Sequence, residues 1–204
     1  FDGTYSNYPE RYGKHTSIKF NVLTIGSLPA FNDLPDSSNM KTDFKYNRGD
    51  YNFDQLSLTA NYESKDQYIN INGFKRSHAG NAGHYFHPSG RKTPIHHSYR
   101  IDYGVNQGSR QVETSIGRYI TSSGLPDSTQ NGLENGNIIS AGLKVSQSVG
   151  RWKINSHFAN FMQHRLIHHS SFIDSNYRDI NRTLMNIQLE TKSGKIFGIQ
   201  NQSQ

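Results

Sequence analysis

The fold of this chain is decided by the segment Gln55-Leu56-Ser57-Leu58-Thr59-Ala60-Asn61-Tyr62, in which apolar and polar side chains alternate. Successive side chains of a β-strand point to opposite faces, so this alternation predicts a strand with one apolar and one polar face. The same period of two returns at 99–105, 139–145 and 183–191. Helical spacing fits none of these windows as well. The sequence therefore predicts an all-β chain.

The composition excludes several classes of protein. The 204 residues include no cysteine, which excludes a disulfide scaffold and any Cys-ligated metal site. The chain is 32% hydrophobic with a mean hydropathy of −0.80, and no run approaches the ~18 apolar residues of a membrane helix. Its 12 Tyr and 11 Phe argue against disorder, which is poor in aromatic residues. The formal net charge is +6, but the basic residues are scattered singly along the chain, so the charge does not indicate a nucleic-acid partner.

The alternating windows and the segments between them predict a regular order of strands. Residues 1–14 are an irregular lead-in, and the predicted strands are 15–23, 53–62, 67–75, 98–106, 110–119, 137–146, 151–162, 182–192 and 195–201. Short connections of hairpin length lie at 63–66, 107–109, 147–150 and 193–194, and three of them contain glycine. Long connections lie at 24–52, 76–97, 120–136 and 163–181. Short and long connections are thus predicted to alternate without exception.

This pattern is typical of a transmembrane β-barrel, which has strands of about 9–11 residues, short turns on one side and long loops on the other. Over residues 15–201 the chain resembles a bacterial outer-membrane β-barrel, with the looping style of TonB-dependent receptors and large porins. The resemblance implies an antiparallel up-and-down meander in the bacterial outer membrane, with short periplasmic turns and long outer loops. Residues 1–204 would then form a single barrel region.

The number of strands and the end of the chain predict that this region is incomplete. Single-chain bacterial barrels have even strand numbers, whereas nine strands are predicted here. The sequence also ends at Gln204 without the terminal aromatic residue of barrels that it resembles. We therefore expect part of a larger barrel, with a signal, any plug domain and further strands outside this sequence. A closed barrel of eight or ten strands is the alternative.

The two faces of the predicted strands would have different surroundings. The predicted lipid-facing residues are Leu56, Leu58, Ala60, Ile69, Ile71, Tyr99, Ile101, Tyr103, Val105, Val112, Ile116, Leu143, Val145, Trp152, Ile154, Phe158, Ile187 and Leu189. The residues predicted to line the lumen from the polar face are Arg100, Asp102, Glu113, Lys144, Asn186, Gln188 and Glu190. A Lys or Arg that faces lipid at the midplane costs about 2–4 kcal/mol, and the charged residues of this second set avoid the apolar face.

Some residues depart from this division or suggest a further feature. Tyr68 and Phe74 fall on the polar face of their strand, and Ser156 and Asn160 fall on an apolar face. Tyr62, Trp152 and Tyr68 stand beside short turns, where an interfacial aromatic belt would lie. The alternative is that aromatic residues simply favour strands.

Histidines gather in two of the long connections. One group is His78, His84, His87, His96 and His97, and the other is His164, His168 and His169. Imidazoles bind Zn, Cu or Ni, but loop spacing cannot show that ligands converge, and polar loop residues facing water are the alternative. We predict no metal site. The densest aromatic cluster in a loop is His84-Tyr85-Phe86-His87-Pro88. The candidate ligand-contacting residues are His84, Tyr85, Phe86 and His87 of this cluster, together with His96 and His97.

The resemblance to outer-membrane barrels implies a transport barrel in which a small solute is captured by the outer loops and passes along a polar lumen. No catalytic residues and no cofactor are predicted. The implied partners are outer-membrane lipid and lipopolysaccharide, the solute, and TonB through a plug domain outside this sequence; nucleic acid is not expected. The alternative is a soluble, secreted all-β binding or adhesion module, in which the apolar face packs a sandwich core.

Overall fold

The computed structural model describes residues 16–19, 22–25, 31, 34–49, 54–77, 85–87, 90–92, 95–124, 133–168, 175–191 and 194–203. Its strands are β1 (Thr16–Lys19), β2 (Val22–Ile25), β3 (Asn39–Arg48), β4 (Asp54–Ser64), β5 (Gln67–Ser77), β6 (Tyr85–His87), β7 (Gly90–Lys92), β8 (Ile95–Gln107), β9 (Arg110–Gly124), β10 (Leu133–Val149), β11 (Trp152–His168), β12 (Ser175–Thr191) and β13 (Gly194–Ser203). In this part of the chain no helix is long and apolar enough to cross a membrane.

Nine of these strands form one antiparallel sheet in the order β13-β12-β11-β10-β9-β8-β5-β4-β3. Strands that follow one another in sequence are neighbours in the sheet, except that the β6–β7 hairpin is inserted between β5 and β8. The predicted all-β, up-and-down meander is therefore confirmed. Within the described residues the sheet is not closed, since β3 and β13 each pair with one strand only.

The ninth strand of the sheet is not the one that the sequence pattern suggested. The predicted strand 15–23 is two short strands, β1 and β2, which pair with each other outside the main sheet. The predicted connection 24–52 contains β3, which pairs with β4 along its whole length. Its alternation of Met40, Phe44 and Tyr46 with polar residues was present in the sequence, so this strand could have been found.

Most other strands are longer than predicted. Strands β10, β11 and β12 have 17 residues each, so the connections at one end of the sheet shrink to 78–94, 125–132 and 169–174. The connection 49–53 lies at this same end, so every connection there is longer than the two-residue turns of the other end but shorter than predicted. The added residues are mainly polar on both faces. Alternation of apolar and polar residues therefore stops before the strand does, because backbone pairing continues through residues that are polar on both faces.

At the opposite end, which we call the short-turn end, consecutive strands are joined through 65–66, 108–109, 150–151 and 192–193. Gly108 and Gly150 have positive φ values of 66° and 60°, which two-residue hairpin turns require and glycine adopts without strain. Neighbouring hairpins are also joined by the backbone, since Ser148 N–H donates to Ser109 O at 2.7 Å.

The two faces of the sheet differ in polarity and in exposure. We call the face that carries Tyr68, Asp102 and Glu113 the buried face, and the face that carries Ile101 and Ile116 the exposed face. Asp102 is 0% exposed, whereas Ile101 and Ile116 are 52% and 58% exposed. The other large apolar residues exposed in the described part of the chain are Met40, Phe44, Tyr46, Ile69, Ile71, Tyr99, Leu143, Val149, Ile154, Phe158, Met162, Tyr177, Met185 and Ile199. Among the described residues, these exposed apolar side chains do not pack a core.

Chain that precedes β3 covers parts of the buried face. The ring of Phe31 packs on that of Tyr68, with centroids 5.7 Å apart. Strand β2 lies against β11 and β12. On these strands Phe161 and Leu184 are buried, whereas Phe158 on the other face is exposed. Phe161 and Leu184 form an apolar cluster with Ile138 and Ala159, so this face is not uniformly polar.

A tyrosine–glycine contact fixes the packing between β5 and β8. Tyr68 and Gly104 are directly opposite each other in the register, and the Tyr68 ring lies over the space that a Cβ of residue 104 would occupy. Tyr68 is 0% exposed as a result of this contact and of Phe31. Glycine is therefore required at 104 by close packing.

We expect Gly104→Ala to lower the free energy of unfolding by about 1–3 kcal/mol, because the added methyl group overlaps the Tyr68 ring. Urea unfolding followed by tryptophan fluorescence measures this change, since Trp152 is the only tryptophan. Gly73→Ala is the matched control, because its new Cβ would meet only Leu58 at 3.9 Å. Equal losses in the two variants would contradict this account of Gly104, as would the absence of rescue when Tyr68→Ala is added.

Candidate functional site

A patch of polar side chains on β8, β9 and β10 forms the centre of the buried face. Arg100, Asp102 and Glu113 are at most 8% exposed, and Ser98 and Ser115 beside them are also buried. Burying a charged group costs free energy unless it is paired and hydrogen-bonded. These charges therefore need partners on the same face.

The most buried pair is Arg100 with Asp102, two residues apart on β8 and so on the same face. Arg100 Nε donates to Asp102 Oδ1 at 2.9 Å, and Arg100 Nη2 donates to Asp102 Oδ2. The geometry is the two-bond fork of arginine with a carboxylate, which fixes direction as well as charge. Asp102 has 0% side-chain exposure and Arg100 has 10%, so the pair is almost fully removed from solvent.

A second ion pair crosses from β9 to β10. Glu113 and Lys144 are opposite each other in the register, and Lys144 Nζ lies 3.4 Å from Glu113 Oε1. The Glu113 side chain is 9% exposed, whereas that of Lys144 is 52% exposed. The ammonium group therefore remains accessible to a solute while it neutralises the buried carboxylate.

Tyr68 belongs to this patch although the sequence did not single it out as a site residue. Its hydroxyl has no hydrogen-bond partner among the described residues. The carboxylates of Glu113 and Asp102 lie close enough to act on it electrostatically. The signal in the sequence was that an aromatic residue interrupts the polar face of its strand.

The remaining lumen candidates lie on β12 and are half-buried on the same face. Asn186 shares a row of the register with Glu113 and Lys144, with His157 between Lys144 and Asn186. Gln188 lies one residue pair further toward the short-turn end, and Glu190 lies opposite Lys153. All seven predicted residues thus share one face, on which acids and bases alternate. Such a surface offers hydrogen-bond donors and acceptors to water or a polar solute.

The candidate ligand-contacting residues do not form one group. His96 and His97 were expected in a long loop, but both lie in β8 and point to opposite faces of the sheet. Tyr85, Phe86 and His87 form strand β6, which pairs with β7 and lies against β9 and β10. His84 lies outside the described residues. The prediction of a single loop patch therefore fails for His96 and His97, because strand pairing continues through them.

The surroundings of His96 and His97 differ. Nδ1 of His96 lies 3.2 Å from the Tyr119 hydroxyl and 3.1 Å from the Thr121 hydroxyl on the buried face. His96 is beyond the apolar stretch of β8, which starts at Tyr99, and burial followed by the charge of Arg76 lowers its pKa. On the exposed face, Nδ1 of His97 lies 3.3 Å from the Tyr99 hydroxyl. Within the described residues, no group of three or more His, Cys, Asp or Glu could hold a metal ion.

Comparisons with known proteins give no match: no family model and no curated protein matches the sequence, and no solved structure matches the fold. The site is therefore interpreted from its own chemistry.

We expect Asp102→Asn to lower the free energy of unfolding by about 3–5 kcal/mol, because it leaves the Arg100 charge buried without its carboxylate. Lys41→Gln should cost about 1 kcal/mol or less, since both side chains of the Lys41–Asp43 pair are 71% exposed. Urea unfolding of both variants measures the difference. Adding Arg100→Met to Asp102→Asn should recover part of the loss, and a double variant that is less stable than Asp102→Asn would refute the pairing argument.

Proposed function

We propose that the nine-stranded sheet is part of the wall of a bacterial outer-membrane β-barrel that takes up a small polar solute. In this proposal the exposed face contacts lipid, the buried face lines the lumen, and further strands complete the wall between β3 and β13. The function is transport, by a TonB-dependent-type receptor or a porin. The observation that best supports this proposal is the shape of the band that the apolar residues form on the exposed face, which we call the apolar band.

The apolar band has clear limits on β4 and β12. On β4 it runs from Leu56 to Tyr62, between Asp54 and Ser64, and on β12 it runs from Met185 to Leu189, between Thr183 and Thr191. Between Leu56 and Tyr62 it spans about 20 Å along the strand, close to the ~25 Å height of the apolar band of outer-membrane barrels.

The band does not run straight across the strands. The row through Thr59, the midpoint of the β4 stretch, reaches Arg182 on β12, whereas the midpoint of the β12 stretch is Ile187. This shift of five residues is about 16 Å, across six strand spacings that total about 29 Å. The band is thus inclined at roughly 30° to the register rows, near the ~35–45° tilt of strands in a membrane barrel.

This inclination favours a flat layer of lipid over a protein partner. If tilted strands cross a planar slab, the segments inside the slab must be displaced along the strands across the sheet, as they are here between β4 and β12. The exposed face also carries Ile71, Ile101 and Ile116 in one register row of three neighbouring strands, each at least 39% exposed, whereas soluble monomers rarely expose large contiguous apolar patches. In a lipid layer, burial of that surface would contribute to stability.

One polar residue beside the band, Asn160, has hydrogen-bond partners on the neighbouring strand, as a lipid environment requires. Asn160 Nδ2 lies 3.0 Å from Asn181 Oδ1 and 3.0 Å from Thr183 Oγ1, all on the exposed face. Tyr62 and Trp152 are on this face near the short-turn end, in the place of an interfacial aromatic belt. Tyr68, the third belt candidate, is instead on the buried face.

A charge in the middle of the band tests the membrane assignment. We expect Ile101→Arg to destabilise folding into phospholipid vesicles by about 2–4 kcal/mol, because residue 101 would lie near the midplane. Ile95→Arg is the matched control on the same strand and face, beyond the band, and should cost about 0–1 kcal/mol. Trp152 fluorescence during urea titration in vesicles gives both values.

The wild-type chain should also aggregate in buffer without detergent and show heat-modifiable migration on a gel after refolding in detergent. A chain that stays monodisperse without detergent, with equal effects of the two arginines, would instead support a soluble binding or adhesion module.

A further inference from the structure

A recess of about 450 Å³ opens on the exposed face of β10, β11 and β12, toward the end of the sheet opposite the short turns. We call it the edge recess. Ile139 and Met162 are opposite residues of β10 and β11, and the next opposite pair on this face, farther from the short turns, is Asn137 with His164. The edge recess is therefore apolar on one side and polar on the other. The side chains that line it on this face are Asn137, Ile139, Met162, His164, Asp179 and Asn181.

The apolar side of the edge recess belongs to the apolar band. On β10 the exposed face carries Val145, Leu143, Ala141 and Ile139 in succession and becomes polar at Asn137. In the membrane proposed above, the boundary between hydrocarbon and headgroups would thus cross the edge recess. A ligand that fills it would need an apolar part and a polar part, as a membrane lipid has.

A positive charge lies beside the polar side of the edge recess. Arg118 of β9 is opposite Ile139 in the register, and its Nε donates to Asn137 Oδ1 at 3.2 Å. Arg118 is exposed, and among the described residues it forms no ion pair with a carboxylate. A guanidinium group presents a fork of N–H donors that matches the oxygens of a phosphate. The edge recess can therefore take a phosphate on the side of β9.

The other polar groups of the edge recess suit hydroxyl groups. His164 Nδ1 donates to Asp179 Oδ1, and the Asp179 side chain is 75% exposed. Asn160 Nδ2 donates to Asn181 Oδ1 at 3.0 Å, so a ligand would meet the Nδ2 donors of Asn181. A carboxylate oxygen accepts hydrogen bonds and an amide N–H donates them, and a sugar hydroxyl can do both.

The two charged groups of this region lie on opposite sides of the edge recess. Arg118 and Asp179 are on β9 and β12, three strand spacings or about 14 Å apart in the backbone. A phosphate at Arg118 would therefore be far from the Asp179 carboxylate. A headgroup that carries only negative charge would leave the Asp179 side unmatched. A phosphorylated sugar matches both sides.

From this arrangement we propose that the edge recess binds the headgroup of a phosphorylated glycolipid in the outer leaflet. The phosphate would bind Arg118, and the sugar hydroxyls would bind Asp179 and Asn181. The acyl chains would lie along Ile139 and Met162 toward the apolar band. This inference rests on the proposed membrane location and names a lipid partner of the exposed face, apart from the solute that the buried face would take.

The test uses the full chain refolded in detergent micelles and titrated with lipid A, the phosphorylated glycolipid part of lipopolysaccharide. Native mass spectrometry counts the lipid molecules bound. We expect saturable binding of lipid A, and binding of phosphatidylglycerol, phosphatidylethanolamine and dephosphorylated lipid A that is weaker by about tenfold or more. Arg118→Gln should weaken lipid A binding by about tenfold, the change expected for the loss of one charged hydrogen bond.

Arg110→Gln is the matched control. Arg110 lies on the same strand and face as Arg118, and its Nε donates to Gln147 Oε1 of β10 at 2.8 Å, but it lies at the short-turn end. The variant removes the same charge about 26 Å away along the strand, well beyond the Debye length, so lipid A affinity should change by no more than about twofold.

Three results would overturn the proposal. Equal losses in the two arginine variants would do so, because diffuse charge would then explain binding. Equal binding of lipid A and of either phospholipid, or of lipid A with and without its phosphates, would show that the edge recess does not recognise a phosphorylated sugar. Absence of saturable lipid A binding by the wild-type chain is the third.

Folding into the membrane is measured separately, by heat-modifiable migration and by protection from protease in vesicles. A chain that inserts but does not bind lipid A selectively refutes the edge recess as a glycolipid site and leaves the transport proposal standing. A chain that stays monodisperse without detergent and still binds lipid A through Arg118 refutes the membrane proposal and supports the glycolipid site.

Discussion

The structure depends on the register between neighbouring strands. Because side chains alternate between faces with a period of two, a slip of one residue between β8 and β9 would turn one strand over relative to the other. Asp102 would then lose its buried position or Ile116 would enter the polar patch. The two-residue turns with Gly108 and Gly150 prevent such a slip, since they fix which residues face each other.

The ion pairs and the apolar band follow from this same register. Arg100 and Asp102 meet because they are two residues apart on one strand, and Glu113 meets Lys144 because β9 and β10 pair without a bulge. The opposite sides of these strands carry the exposed apolar residues. A single pattern of pairing therefore separates charge from hydrocarbon across the thickness of one sheet.

Much of the fold could be predicted from the sequence, because alternation reports directly on strand faces. The assignment of Ile101 and Ile116 to one face and of Asp102 and Glu113 to the other needed no further information. The ends of the strands could not be found in this way, since residues such as His164 and Arg178 continue the pairing without an apolar face. Met40 and Phe44 also alternate with polar residues, and this alternation belongs to β3, which lies inside the predicted connection 24–52.

The site was less accessible to sequence reasoning than the fold. Histidines that are neighbours in the chain, His96 and His97, were grouped, although adjacent strand residues always face apart. Conversely, Arg118 and Asp179 are about sixty positions apart in sequence and flank the edge recess only because three strand pairings connect them. Such groupings require the register and cannot be inferred from local spacing.

The length of β10, β11 and β12 affects how the protein would first bind a solute. Seventeen residues extend about 56 Å, more than twice the height of a lipid-facing band of ~25 Å, so hydrogen-bonded sheet would project well past the headgroups as a stiff collar. Side chains on a collar keep their spacing when nothing is bound. Binding of the solute to these strands would then cost less conformational entropy than binding to flexible loops of the same composition.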